Sequence, residues 1–216
     1  MNNEHLMCGI YFCCTNKPFT LETLKTQSSV LQHRGPDNFK TVQSPPFHFA
    51  FHRLAIVDPS LMAMQPFQRD GIICMVNGEI YNANYLCEKY KLKCETTCDC
   101  EVVPLLYRAM CKYGRSVDVI EFLQQLEGMF AIVLVDKNNG TVLIARDHMG
   151  IVPLYWKRDP LTVASEMKAL GGDAETFPPR SFFHKTKKKQ GRIENWYNPN
   201  PTWSIQKYNS LNHAVH

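Results

Sequence analysis

Cys8 stands in the run Met7-Cys8-Gly9-Ile10-Tyr11, a thiol followed by glycine at the head of a short apolar segment. A thiol there is a candidate nucleophile, and the base it needs is at hand when its own α-amino group is free. An α-amine titrates at about 7.7–8.0, near enough to neutral to take a thiol proton, whereas an amide nitrogen cannot. Asn77-Gly78-Glu79 offers a second kind of chemistry. A side-chain amide beside a backbone amide open to close approach provides the parts that hold a developing oxyanion. Asn-Gly by itself is far more often a tight turn. Arg34-Gly35-Pro36-Asp37 alone reads as a surface turn, and Arg53 alone as a surface or strand-end arginine; what raises both is the company they keep.

The elements that must hold these groups follow from the pattern. Residues 9–15 read as a buried first strand, and Thr20 can cap a helix whose stripe holds Leu21, Leu24, Ser28 and Leu31. Residues 47–51 alternate aromatic with small or polar side chains at the period of a half-buried strand, and the run continues to Asp58. Another strand spans 72–76 and ends at Asn77-Gly78-Glu79. Val102, Leu105, Leu106, Ala109, Met110 and Tyr113 recur at helical spacing, with a second helix over Val117, Ile120, Phe122 and Leu123. Residues 129–135 are apolar throughout, so that strand must be covered on both faces; Asn139-Gly140 turns it tightly into a partner at 141–145. Strand pairs wrapped by helices on two sides predict an α+β layered sandwich with mostly antiparallel sheets.

Composition narrows the classes. A chain of 216 residues suits one domain with a tail, and 44% hydrophobic against 20% charged residues argues against disorder. The longest apolar run, 129–135, is too short to span a bilayer, and residues 1–6 lead into no signal-peptide core, so no membrane partner and a cytoplasmic location are expected. Nine cysteines with no Cys-x-x-Cys pair read as reduced thiols. Cys94, Cys98 and Cys100 supply half of a structural zinc spacing, so no metal is expected. The lysines of 185–189 account for much of the +4 charge without aromatic interleaving, which argues against nucleic acid.

The order of segments carries more information than any one of them. Met7-Cys8-Gly9-Ile10, His33-Arg34-Gly35-Pro36-Asp37, Phe51 to Asp58, Gln65-Pro66, Asn77-Gly78-Glu79-Ile80-Tyr81-Asn82, Asp99-Cys100-Glu101-Val102, Gly128-Met129-Phe130-Ala131, Arg146-Asp147-His148-Met149-Gly150 and Ser165-Glu166-Met167-Lys168-Ala169-Leu170 follow one another along the chain. Together they resemble the class II glutamine amidotransferase domain of glutamine-hydrolysing asparagine synthetases, from Cys8 to about Leu170.

That resemblance implies an N-terminal-nucleophile hydrolase fold, a four-layer sandwich of two mostly antiparallel sheets between helical layers. It implies a domain over 8–180, with 1–7 as an N-terminal extension or removable leader and 181–216 as an edge segment and tail or truncated interdomain linker. Cys8 would be the nucleophile, forming a glutamyl thioester from L-glutamine and releasing ammonia. Asn77 and Gly78 would hold the oxyanion, Arg53 the α-carboxylate, and Glu79 and Asp99 the α-ammonium, with Ile56 and Val57 lining the pocket. So built, the pocket would measure the length of glutamine and exclude asparagine. No cofactor is implied for this step; ATP and Mg enter with an ATP-dependent synthetase domain or chain, the implied partner.

The chain also departs from the pattern. Seven residues precede Cys8, so the amine must be released by initiation at Met7 and trimming, or by cleavage of a short propeptide. Thr97-Cys98 replaces the usual Gly-Ser before Asp99, which predicts a different loop path, and Pro104 lies about a turn into the following helix. The Ser-Gly-Gly-x-Asp-Ser phosphate loop of a synthetase has no counterpart, since Gly171-Gly172-Asp173 lacks the serine. The alternative reading is a non-catalytic homologue that binds glutamine or docks a partner. Arg146, Asp147, Ser165 and Glu166, which the family places near its domain junction, read equally well as ion pairs and caps.

Overall fold

The computed structural model describes residues 7–111 and 117–198. In chain order, β1 (Gly9–Cys14) leads to α1 (Leu21–Ser29), then the hairpin β2 (Asn38–Ser44) and β3 (Phe47–Arg53), and the pair β4 (Phe67–Arg69) and β5 (Ile72–Ile80). Helices α2 (Ala83–Tyr90), α3 (Val102–Met110) and α4 (Val119–Gln124) follow. The rest is β6 (Gly128–Asp136), β7 (Thr141–Arg146), β8 (Tyr155–Arg158), β9 (Leu161–Ala164), β10 (Glu175–Thr176), β11 (Ser181–Lys185) and β12 (Arg192–Asn195). Among the described residues, no helix is long and apolar enough to cross a membrane.

The strands form two six-stranded sheets, ordered β10-β8-β9-β1-β3-β2 and β12-β11-β7-β6-β5-β4, and every pairing is antiparallel. Three apolar clusters define four layers. Tyr11 and Cys13 of β1 pack against Leu24 of α1. Ile10 and Phe12, on the opposite face of β1, pack with Phe49 and Phe51 of β3 against Ile73, Met75, Ala131 and Val133 of the other sheet. The outer face of that sheet, Cys74, Val76, Phe130 and Ile132, is covered by Leu86, Val103, Leu106 and Phe122 from α2, α3 and α4. The expected α+β sandwich between helical layers is therefore the observed fold. Each fully buried Leu, Ile or Phe contributes about 1.5–3 kcal/mol, so these interleaved faces fix the register in which the two sheets oppose each other.

Local chemistry accounts for the helix ends. The Thr20 hydroxyl accepts the Thr23 amide at 3.0 Å and caps α1, with Glu22 in the first turn where the helix dipole favours an acid. Leu24 and Ser28 are buried as the stripe predicts, while Leu21 sits at the helix start and is largely exposed. A single helical turn, Asp99–Glu101, precedes α3, and Pro104 lies in the first turn of α3, where its missing N–H leaves no intrahelical bond unmade. Tyr113, expected on this helix, lies outside the described residues.

Three boundaries differ from expectation. The strand through Phe47 stops at Arg53 rather than Asp58. β5 does not end at Asn77 but runs to Ile80, because β6 pairs with it at every step from Ile72↔Asp136 to Ile80↔Gly128. The connection after β6 is a four-residue loop rather than a two-residue turn, since Asp136 pairs with Thr141. Asp136 holds the loop by accepting the Asn138 amide at 3.0 Å and the Asn139 side-chain amide at 2.7 Å.

Candidate functional site

Side-chain alternation along the strands carries the functional groups to one place. Ile10 and Phe12 face the other sheet, so Cys8, two positions before Ile10, faces it as well. Phe49 and Phe51 give Arg53 the same sense on β3, and Gly9 pairs with His52, which sets Cys8 beside Arg53. Across the sandwich Ile73 and Met75 give Asn77 the inward sense. Cys8, Arg53 and Asn77 meet at one end of the inter-sheet space, where they line a cavity of about 580 Å³ with Ile56, Val57, Gly78, Glu79 and Asp99. The structure thus brings together the residues that the resemblance assigns to the glutamine pocket.

The head of β1 is tethered on three sides. The Arg34 Nε donates to the Cys8 carbonyl at 3.2 Å, and Glu166 in turn accepts Arg34 Nη1 at 3.2 Å and Lys168 at 2.9 Å. Ser165 accepts the Ile10 amide on its hydroxyl at 3.0 Å and donates its own amide to the Ile10 carbonyl at 3.0 Å. The Cys8 sulfur accepts the Leu54 amide at 3.4 Å. Burial pushes the thiol above its ordinary value, while the Leu54 amide and the Arg53 and Arg34 charges pull against that. The thiol therefore keeps its proton at neutral pH until a base takes it.

On the opposite wall, Asn77 is 1% exposed and its Nδ2 has no hydrogen-bond partner among the described residues. A buried amide donor left unpaired costs about 1–3 kcal/mol, so such groups call for an explanation. Gln65 holds the backbone one residue earlier, donating to the Val76 carbonyl at 3.0 Å and accepting the Val76 amide at 2.6 Å. Gly78 has φ +139, and a Cβ there would lie 2.0 Å from the Met129 carbonyl oxygen, so only glycine lets β5 and β6 approach this closely.

The remaining groups form the mouth and far end. The Arg53 guanidinium donates to the carbonyls of Ser60, at 2.7 Å, and Asp58, so the loop after β3 wraps its own arginine. That wrapping is why the strand ends there. Asp37 accepts the Ala55 amide at 2.7 Å and sets the start of the same loop, whose Ile56 and Val57 stay 71% and 54% exposed at the cavity mouth. Asp58 accepts both the amide of Thr97, at 2.9 Å, and its hydroxyl, at 3.0 Å, tying the two mouth loops together. Hydrogen bonds from Ser60 and then Thr97 hold the Asp58 carboxyl far below the usual carboxylate range. Asp99 accepts the Ile80 amide at 2.5 Å, and Glu79 is exposed at the rim.

Several anchors were not singled out by sequence reasoning. Gln65, Asp37, Asp58 and Glu101 lie within the segments that carry the resemblance, but their task, accepting from or donating to backbone, is not marked by composition or spacing. Arg34 and Glu166 appear in recognisable segments, but their grip on the Cys8 carbonyl emerges only from the fold. Arg146 and Asp147 brace a loop instead: Arg146 donates to the carbonyls of Val152, Phe177 and Gly150, each at 2.7 Å, and Asp147 accepts the Met149 and Ile151 amides at 3.0 Å. Cys98, Asp99 and Cys100 put their ligand-type atoms within 4.8 Å of one another, but Cys94 belongs elsewhere, against Cys87.

The fold defines the class. The solved structure of glutamine phosphoribosylpyrophosphate amidotransferase from B. subtilis matches with TM-score 0.57 at 18% identity, over 88% of this chain and 43% of that one. The two share the fold, the N-terminal-nucleophile sandwich of two antiparallel sheets with helical layers. In sequence, the glutamine amidotransferase domain model matches residues 7–181, and the chain belongs to that family, in its class II form. Its relatives include asparagine synthetase [glutamine-hydrolyzing] 2 of Arabidopsis thaliana, 39% identical over 89% of this chain and 33% of the relative. The enzyme of that name from Oryza sativa subsp. japonica is 41% identical over 78% of this chain and 28% of the relative. The chain thus spans about a third of the length of these curated relatives.

Proposed function

We propose that this domain hydrolyses L-glutamine to glutamate and ammonia once Cys8 is freed from Met7. The observation that carries the reading is the unpaired Asn77 Nδ2 opposite the Cys8 thiol, one donor and one nucleophile on facing walls of one cavity. The released α-amine takes the thiol proton, and the sulfur attacks the side-chain carbonyl carbon of glutamine. The carbonyl electron pair moves onto oxygen, where Asn77 Nδ2 and the Gly78 N–H stabilise it. Collapse breaks the C–N bond, and the protonated amine returns its proton to the departing nitrogen, giving ammonia and a glutamyl thioester. Water, losing a proton to the amine, attacks the thioester; the thiolate leaves, glutamate is released and Cys8 recovers its proton. Arg53 binds the α-carboxylate, Glu79 and Asp99 the α-ammonium, and Ile56 and Val57 line the mouth. Every proton and electron pair has a source among these groups, so the step draws on no cofactor.

In this reading the unit over 8–180 is the glutaminase, residues 1–7 are a removable leader, and the ammonia passes to an ATP- and Mg-dependent synthetase domain or chain in the cytoplasm. The exposed apolar rim of Ile56, Val57 and Ile151 at the cavity mouth supports an apolar passage or a docking partner there. A second reading has one observation in its favour: Met7 also lines the cavity and packs against the inter-sheet core. A chain that keeps Met7 would bind glutamine or a partner without turning it over. The test compares chains beginning at Cys8 with chains retaining Met7, each checked by intact mass, for ammonia release from glutamine. Turnover confined to the Cys8 form and abolished by Cys8→Ala is expected; turnover in the Cys8→Ala chain, or none with a verified free Cys8, overturns the proposal.

A further inference from the structure

We propose that Cys87 and Cys94 form a redox-modification site, a dithiol that a low-molecular-weight disulfide of the glutathione class converts to an intramolecular disulfide. Their sulfurs lie 2.9 Å apart, seven positions apart in sequence. Closing to a bond of about 2.05 Å needs less than an ångström of travel. Cys94 is exposed and Cys87 half-buried at the last turn of α2, so a small oxidant can reach the pair. Cys74 and Cys100 are built differently. Cys74 is sealed in the core, and Cys100 is buried with its thiol directed at the Gly78 carbonyl at 3.4 Å.

The pair begins a chain of contacts that ends at the cavity. The Leu92 amide donates to the Cys87 carbonyl at 2.9 Å, and Arg69 pairs with Glu95. Glu101 accepts the Glu95 amide at 3.0 Å and the Thr96 amide at 2.8 Å, Thr97 binds Asp58, and the next residues, Cys98 and Asp99, line the cavity. A covalent link at Cys94 therefore pins the near end of the segment that delivers Asp99.

The chemistry balances with the named oxidant. Burial, and then the contact with Cys87 and the Glu101 charge, push the Cys94 thiol well up, so exchange begins at Cys87. The Cys87 sulfur attacks one sulfur of the disulfide, whose S–S bond breaks to release one thiol. The mixed disulfide removes one of the contributions that raise Cys94, and the Cys94 sulfur, 2.9 Å away, then attacks Cys87, expelling the second thiol. Two protein thiols are oxidised and one disulfide is reduced to two thiols.

The test incubates the folded chain with oxidised glutathione in the absence of glutamine, then maps alkylated peptides. This readout is independent of glutaminase activity. A Cys87–Cys94 bond, a chain two hydrogens lighter, and amide exchange slowed about tenfold over residues 92–97 are expected, since the cross-link takes conformational freedom from the opened form of the segment it anchors. Dithiothreitol should reverse all three, and Cys87→Ser should form no bond at Cys94. A bond mapped to other cysteines, a glutathione adduct that persists unresolved in the parent chain, or a pair that stays reduced overturns the proposal.

Discussion

Asn77→Ala removes a donor that has no partner in the resting cavity, so its effects on folding and on reaction should separate. For the fold, Asn77 is 1% exposed and its Nδ2 is unpaired. Deleting that group returns about 1–3 kcal/mol of unmet desolvation. The atoms lost bordered a cavity of about 580 Å³ rather than a sealed core, so the void merges with existing space and forfeits only part of the usual packing cost. The two effects oppose each other, and net stability should change by less than about 1 kcal/mol, a shift of roughly 2–4 °C in Tm for a domain of this size. For the reaction, the donor acts on the oxyanion that develops during attack. Its loss should lower kcat by about 10²–10³, or about 2.7–4 kcal/mol, and leave KM nearly unchanged. The assay is ammonia release by a chain beginning at Cys8, with a thermal melt on the same preparation. A kcat within about tenfold of the parent would refute the assigned role. So would a melt lowered by more than about 8 °C, since the loss of activity would then follow the loss of fold.

Gly78→Ala should do the reverse and damage both properties together. With φ +139 and a Cβ 2.0 Å from the Met129 carbonyl oxygen, the alanine must push β5 from β6, costing at least the roughly 1–3 kcal/mol of a strained residue. Thermal melts and glutamine turnover should fall in the same sample, and a variant with unchanged Tm would contradict the close approach. Acid should destabilise the domain in two stages. Burial lowers the pKa of His48, His52 and His184, so the unfolded chain takes up their protons first; their contribution is complete above about 6.5 and is lost as pH falls from there toward the folded values. Burial pushes Glu166 up, but hydrogen bonds from Lys168, Arg34 and His33 outweigh it and leave its pKa lowered. Its contribution is therefore present above about 4.3 and is lost as pH falls through the depressed value. Melting temperature against pH should show both stages, and Glu166→Gln should shrink the lower one, to which the depressed Asp58 carboxyl also contributes, while leaving the upper one in place.

Most of what positions the site is legible where a single period or a single cap decides the structure. The unbroken apolar run of β6 demands two covered faces, whereas β1 and β5 are apolar on both faces, so the inward sense of Cys8 and Asn77 emerges only from the contacts of their strand neighbours. Legibility fails where a distant partner overrules a local preference. Asn77-Gly78 favours a turn by itself, yet the ladder with β6 holds it extended through Ile80. The short hairpin of β8 and β9 carries no long periodic run, so it leaves little trace in the pattern. The loop before Asp99 is the most instructive case, because Thr97-Cys98 in place of a glycine-serine pair predicts a different path. Thr97 instead spends its amide and hydroxyl on Asp58, the carbonyl of Asp58 receives Arg53, and Asp99 reaches the Ile80 amide. The path here is set by hydrogen bonds to the side chain of an acid 39 positions away in the chain. Asp58, at the cavity, and Glu101, beside it, thus work as acceptors for backbone amides of the loop that leads to Asp99. Their removal should disturb the cavity through the loops they hold, a role that their place in the family's segments does not spell out.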